Sequence, residues 1–202
     1  GLTTGTGGAG PVVLRTVAGE ITVNDPVNAD GHILLETRGG VQALELNAAV
    51  TSATGSLTLS ATGDLDTHVD ITAVEGTVEI LSGGTFTMDD GTAVVTNGAN
   101  IRVTVVGDIV LGLIDARTAA DRALTGTAAQ SDWGETALNA GGRISDAADE
   151  SPAGNEVIVD LYASAARIEA GSGIGEFDGA PFENSDIFDE IESELIRIST
   201  AS

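Results

Sequence analysis

Apolar and polar residues alternate with a period of two along much of this chain, in short runs broken by glycine, asparagine or aspartate. That period marks a strand with one buried face. The clearest runs follow Gly31, Gly55, Gly76 and Gly98, which lie 24, 21 and 22 residues apart. They read His32-Ile33-Leu34-Leu35, Ser56-Leu57-Thr58-Leu59, Thr77-Val78-Glu79-Ile80 and, one residue late, Asn100-Ile101-Arg102-Val103. A second run follows about ten residues after each marker: Leu65, Phe86 with Met88, and Ile109 with Leu111. A third apolar position comes just before the next glycine, at Val27, Val50, Ile71 and Val94. Val12-Val13-Leu14 and Ile21-Thr22-Val23 extend the pattern toward the start.

Three short strands per repeat describe one turn of a parallel β-helix. A repeat of about 22 residues cannot hide its own apolar face, so neighbouring turns must stack and share a core. The fold class is therefore all-β, a β-solenoid. At one strand spacing per turn the whole chain would form about nine turns, or about 40 Å of rod.

The same pattern divides the chain. Residues 1–11, rich in glycine and threonine, read as a linker or loop, and residues 12–115 as regular turns. Between 116 and 135 the period fails. Helix formers from Ala116 to Leu124 precede the lone tryptophan, Trp133, and the stretch reads as a projecting loop with a helical turn. Trp133 there has two roles open to it: anchoring a partner, or folding back over exposed core. Residues 136–202 read as less regular turns. Ala140-Gly141-Gly142-Arg143-Ile144 is echoed by Ala170-Gly171-Ser172-Gly173-Ile174, with a strand at Val157-Ile158-Val159-Asp160-Leu161-Tyr162 between them. Near the end, Ile187, Ile191 and Leu195 suit a turn or short helix over 186–192, followed by a strand from about 194.

Composition narrows the core. The chain of 202 residues is 42% hydrophobic but only 3% aromatic, so the interior must be narrow and aliphatic. Its 27 glycines and 23 threonines favour strands and tight turns. Cysteine is absent, which excludes disulfides and thiolate metal sites. No apolar stretch approaches the roughly 18 residues of a membrane span. Thirty-one acidic residues face eight basic ones, all arginine, for a net charge of −23. Nucleic acid and anionic membranes are repelled by such a surface.

Candidate chemistry is sparse. Asp64, Asp66, His68 and Asp70 share one phase of a strand, the outer one, because Leu65, Val69 and Ile71 take the inner. A solvated acidic strand explains them, and His32 beside its marker glycine faces solvent in the same way. Two isolated histidines define no nucleophilic triad. Gly63-Asp64-Leu65 and Gly107-Asp108-Ile109 occupy equivalent corners, and Asp89-Asp90-Gly91 adds an acidic turn. Stacked carboxylates there could contribute to a Ca²⁺ site, but neither the nonapeptide of calcium β-rolls nor an EF-hand loop is present. Glycines 5–10 lack the lysine and following helix of a phosphate loop. Thr85-Phe86-Thr87 lacks the matching threonine pairs in adjacent repeats that ice binding needs. The reading is of no catalytic, metal or cofactor residues. A carbohydrate-active β-helix would instead show a groove lined by acids, an arginine and Trp133 or Tyr162.

Gly55-Ser-Leu-Thr-Leu-Ser-Ala-Thr-Gly-Asp-Leu65 and Gly107-Asp-Ile-Val-Leu-Gly112 resemble the repeats of giant secreted bacterial surface proteins of the filamentous-haemagglutinin type. So do Ala140-Gly-Gly-Arg-Ile-Ser-Asp-Ala147 and Ala170-Gly-Ser-Gly-Ile-Gly175. The similar stretches cover most of residues 19–113 and 138–200. The resemblance implies a right-handed parallel β-helix exported to the bacterial cell surface, serving as an adhesin shaft, fibre or biofilm component. Its expected partners are copies or neighbouring repeats stacked end to end, or a surface glycan or protein. The repeat pattern reaches both ends without an evident capping helix, so the chain is expected to be part of a longer protein or a head-to-tail fibre. The alternative function is a carbohydrate-active or carbohydrate-binding β-helix. The insertion at 116–135 and the strong acidity depart from the family pattern.

Overall fold

The computed structural model describes residues 2–3, 10–124, 130–147, 160–174 and 191–200. It is 52% strand and 4% helix, a stack of parallel strands forming a β-solenoid. Five regular turns run from Val12 to Asp115. Each turn opens with a five-residue strand: Val12–Thr16, Ile33–Thr37, Leu57–Ala61, Val78–Ser82 and Ile101–Val105. The second face carries Ile21–Val23, Leu44–Leu46, Leu65–Thr67, Phe86–Met88 and Ile109–Leu111. The third carries Val27–Ala29, Val50–Ser52, Ile71–Ala73, Ala93–Thr96 and Leu113–Asp115.

Register is kept through the stack. Val12, Ile33, Leu57, Val78 and Ile101 pair in sequence, and Thr136 and Ala166 continue that column. The period of two explains the core: every second side chain points in, and Leu35, Leu57, Leu65, Ile71, Ile80 and Phe86 have no exposed surface. Leu14 holds the same inward phase as Leu35 but is 41% exposed, because Val12–Thr16 is an edge strand of its sheet.

Beyond Asp115 the stack continues with more residues per turn. Thr136–Ala140 and Arg143–Asp146 extend the first two faces. Leu161–Ala170 then runs from the third face into the first without a corner, and Ile191–Thr200 pairs with it in parallel. That uninterrupted strand joins the first and third faces into one 14-stranded sheet, opposite a 7-stranded one. Successive turns here are 35 and 30 residues apart. Ile101, Thr136 and Ala166 are nonetheless immediate neighbours in one column, so there are fewer turns than the nine a constant repeat predicts.

Three local expectations change. Leu2–Thr3, in the segment read as a loop, pairs in parallel with Val27 and Asn28. Ile191 and Leu195 lie on one strand rather than being divided between a helix and a strand. The strand expected at 157–162 instead starts at Leu161, while 157–159 and 186–190 lie outside the described residues.

Two of the four marker glycines, Gly55 and Gly76, have a different physical reason from the one corners usually supply. Positive φ occurs at Gly39, Gly40, Gly91 and Gly98, as left-handed corners require. Gly55 and Gly76 do not adopt it. They are stacked so closely that a Cβ on Gly76 would collide with the Gly55 carbonyl, and one on Gly55 with the backbone of Gly31 and His32. Direct backbone stacking, and not conformational freedom, demands glycine there.

Candidate functional site

The corners are built first, because they account for most of the polar residues. Buried hydroxyls take up the turn carbonyls. Ser52 Oγ donates to Gly31 or Gly55 carbonyl oxygen, both 2.7 Å away, and Ser82 Oγ stands 2.8 Å from the Gly63 carbonyl. Acidic and amide side chains then link one turn to the next. Asp64 Oδ1 accepts from Thr85 N–H at 2.8 Å, Asp108 Oδ1 from Arg143 N–H at 2.7 Å, and Asp70 Oδ1 from Ala93 N–H at 2.9 Å. A carboxylate at such a place satisfies a backbone donor that would otherwise start a strand unpaired.

Asp64 and Asp108 do occupy equivalent corners, but two turns apart, with Thr85 between them. That separation is about 10 Å. Among the described residues no three acidic or imidazole groups converge on a point where a metal ion could sit. Of the carboxylates considered for calcium, Asp64, Asp108 and Asp89 each link one turn to the next.

Asp64, His68 and Asp70 are exposed and Asp66 is half-buried, on the outer face as the alternation requires. Their neighbours come from adjacent turns. His68 Nδ1 lies 2.8 Å from Asp89 Oδ2, and its Nε2 lies 4.0 Å from Glu45 Oε1. The hydrogen bond to Asp89 raises the imidazole pKa above its ordinary value, and the charges of Asp89, Glu45 and Asp66 act in the same direction against a smaller desolvation effect. A raised folded-state value means that the contact stabilises the fold fully below the unfolded imidazole pKa. That contribution is lost as pH rises through the folded value. In an NMR titration His68 should titrate above the ordinary imidazole value and return toward it in Asp89→Asn. An unchanged midpoint in that variant would remove Asp89 as the cause. His32 is exposed, and its Nδ1 accepts from Ser56 N–H at 2.9 Å, another inter-turn pin.

The described parts of the segment, residues 116–124 and 130–135, form a strap beside the third face. Gly134 N–H donates to the Ala116 carbonyl at 2.9 Å and closes it into a loop. A short helix, Ala119–Arg122, is capped by Thr118, whose side chain accepts from Asp121 N–H. Asp115 is the focus of the strap, with its side chain only 2% exposed. Its carboxylate accepts from Arg117 backbone N–H at 2.9 Å, from Arg117 Nε at 3.0 Å and from Arg117 Nη2 at 2.7 Å. Arg122 Nη1 stands 3.4 Å from the same carboxylate and donates to the carbonyls of Thr96 and Arg117. The Arg117 guanidinium lies 3.4 Å over the Tyr162 ring.

Trp133 is 6% exposed, meets Tyr162 edge-on at 6.0 Å, and donates from Nε1 to Asp121 Oδ2 at 2.9 Å. Trp133 is thus buried against Tyr162 and stands outside the continuous aliphatic core; reaching a partner would break this hydrogen bond and expose the ring.

The first face carries a cleft of about 460 Å³ across three successive turns. It lies where the first inward position shrinks from Ile101 to Thr136 and then Ala166. Outward, the same turns present Arg102, Ala137 and Arg167 in one register column. Glu135, Asn100 and Ala165 complete the lining. Asn100 Oδ1 accepts from Glu135 N–H at 2.8 Å, and among the described residues Thr136 Oγ1 finds no hydrogen-bond partner. Arg102 pairs with Glu79 on the preceding turn, and Arg167 with Glu169 at 2.6 Å. Among the described residues the lining of the cleft holds one carboxylate, Glu135, and neither Trp133 nor Tyr162.

Sequence reasoning passed over the cleft and the Asp115 network. Asp115, Arg117 and Arg122 were close enough in sequence to be seen as a cluster. Arg102 and Arg167 come into one column only once the 35- and 30-residue turns are counted. Comparison with protein-family models, with curated proteins and with solved structures finds no match.

Proposed function

We propose that this chain is a structural module, the shaft or fibre segment of an extracellular bacterial surface protein similar to the filamentous-haemagglutinin type. The observation that carries this reading is the unbroken register. The same inward positions repeat from Val12 to Ala166, and outward ion pairs such as Arg15–Glu36 and Arg102–Glu79 and corner hydrogen bonds such as that of Asp64 to Thr85 join neighbouring turns. Such a stack resists bending and carries surface groups at fixed spacing. Its partners in this reading are further turns of the same kind, stacked end to end. The exposed Leu14 on the edge strand Val12–Thr16 supports that contact. Catalysis is not part of the reading.

Light scattering across a sodium chloride series tests the association. The charge of −23 opposes it, but the reach of that charge shrinks to about 8 Å at physiological salt and about 3 Å at 1 M. Association should strengthen with salt. A 20.2 kDa species unchanged at every salt concentration would defeat the end-to-end contact.

A carbohydrate-binding role is the second reading, and the cleft on the first face is the observation that favours it.

A further inference from the structure

We propose that the cleft between Arg102 and Arg167 binds a carboxylate-bearing sugar residue, its carboxylate held between the two guanidinium groups. This rests on the carbohydrate-binding reading and leaves the shaft reading untouched. The volume of about 460 Å³ falls within the range of small-ligand sites. Arg102 and Arg167 stand on the same outward column two turns apart, about 10 Å along the stack. Between them the column holds Ala137, whose methyl leaves the space open. Each long side chain can therefore reach inward to a group centred over Ala137. Their pairings do not prevent this. Each guanidinium has five N–H donors, and a solvent-exposed ion pair such as these holds its partner weakly.

The remaining lining selects among anions. Ala137 and Ala165 give an apolar floor suited to the C–H face of a sugar ring. Glu135 is an acceptor for sugar hydroxyls, and Asn100, with Oδ1 already engaged by Glu135 N–H, keeps its amide Nδ2 as a donor. Glu135 also disfavours ligands whose charges are dense. A phosphate chain or an acidic peptide would place further negative charge beside that carboxylate, on a protein that already carries −23. A single carboxylate with neighbouring hydroxyls meets two cations, one acceptor and one donor. More distant acidic groups are screened beyond about 8 Å at physiological salt.

The test is a titration of ¹⁵N-labelled protein, followed by amide shifts, with D-glucuronate, D-glucose and acetate at constant ionic strength. Glucuronate should give saturable shifts at residues 100–102, 135–137 and 165–167. It should bind at least about tenfold more tightly than glucose, which has no carboxylate to accept charge-assisted hydrogen bonds, and than acetate, which has no ring. Arg102→Gln and Arg167→Gln should each weaken it about tenfold. Ala137→Leu should block it by filling the floor while both ion pairs remain. Unchanged shifts elsewhere establish that each variant is folded. If glucose binds as well as glucuronate, the sugar-acid assignment is wrong and the carbohydrate-binding reading survives. Equal binding of acetate and glucuronate would reduce the site to a general carboxylate contact and overturn the sugar assignment. Absence of shifts with both sugars would remove the inference and the second reading together.

Discussion

Leu57→Asp is expected to abolish the folded stack around the third turn. Leu57 has no exposed surface and lies between Ile33 and Val78 in the inward column. An aspartate there must either keep its charge among aliphatic side chains or take up a proton and remain without a partner. Either outcome costs several kcal/mol, a large part of the roughly 5–15 kcal/mol that holds a typical domain together. Each turn of a solenoid is supported by its neighbours, so the damage should spread to the turns on both sides. Thr58→Asn is the control, since Thr58 faces outward on the same strand and an uncharged polar side chain adds no repulsion beside its register partner Glu79; the change should cost far less than Leu57→Asp. Thermal melts followed by circular dichroism would separate the pair. Similar melting of both variants would mean that the inward phase is misassigned.

Removing the carboxylate of Asp115 should release the strap. Asp115→Ala leaves Arg117 and Arg122 without the group that receives both, at a site where the aspartate side chain is 2% exposed. Breaking a buried pair by deleting one partner costs roughly 3–5 kcal/mol. The two arginines are 21% and 26% exposed and can turn toward water, so a loss near or below the lower end, about 3 kcal/mol, is expected here. Trp133 is the only tryptophan, and its fluorescence reports this region alone. In urea its emission should shift at a lower concentration in the variant, ahead of the loss of β-sheet signal from the regular turns. Coincident transitions at the parent midpoint would show that the Asp115 contacts contribute nothing to holding the strap.

These two variants also separate what periodicity reveals from what it hides. Leu57 was legible because the alternation of a strand assigns each side chain to one of two faces, and the marker glycines set the register of neighbouring turns. The burial of Asp115 was not legible, although its nearness in sequence to Arg117 and Arg122 was. The residue falls on the strand Leu113–Asp115, opposite the half-buried Val95, on a face that is outward in earlier turns. What buries it is the strap, which returns over that face after a local excursion. Trp133 shows the same limit. Composition named it as the lone large aromatic in an irregular stretch, and left open whether it met solvent or core. Its hydrogen bond to Asp121 and its edge-on contact with Tyr162, 29 residues further along, decided the matter.

The cleft depends on tertiary structure in a further way. Arg102, Ala137 and Arg167 are separated by turns of unequal length, and no constant repeat places them in line. Parallel pairing aligns them because the backbone hydrogen-bond register is conserved across the stack even where the loops between strands are not. The strands of the regular turns, their inward residues and the stacking of those turns were legible in the chain alone, because they follow from a period of two and a repeat too short to fold alone. Tertiary structure decided why Gly76 must be glycine, that Asp64 and Asp108 pin corners, and where the strap and the cleft lie. Each of those depends on which residues meet across turns, and that is set by loop lengths and close backbone approach that hydrophobic pattern does not record.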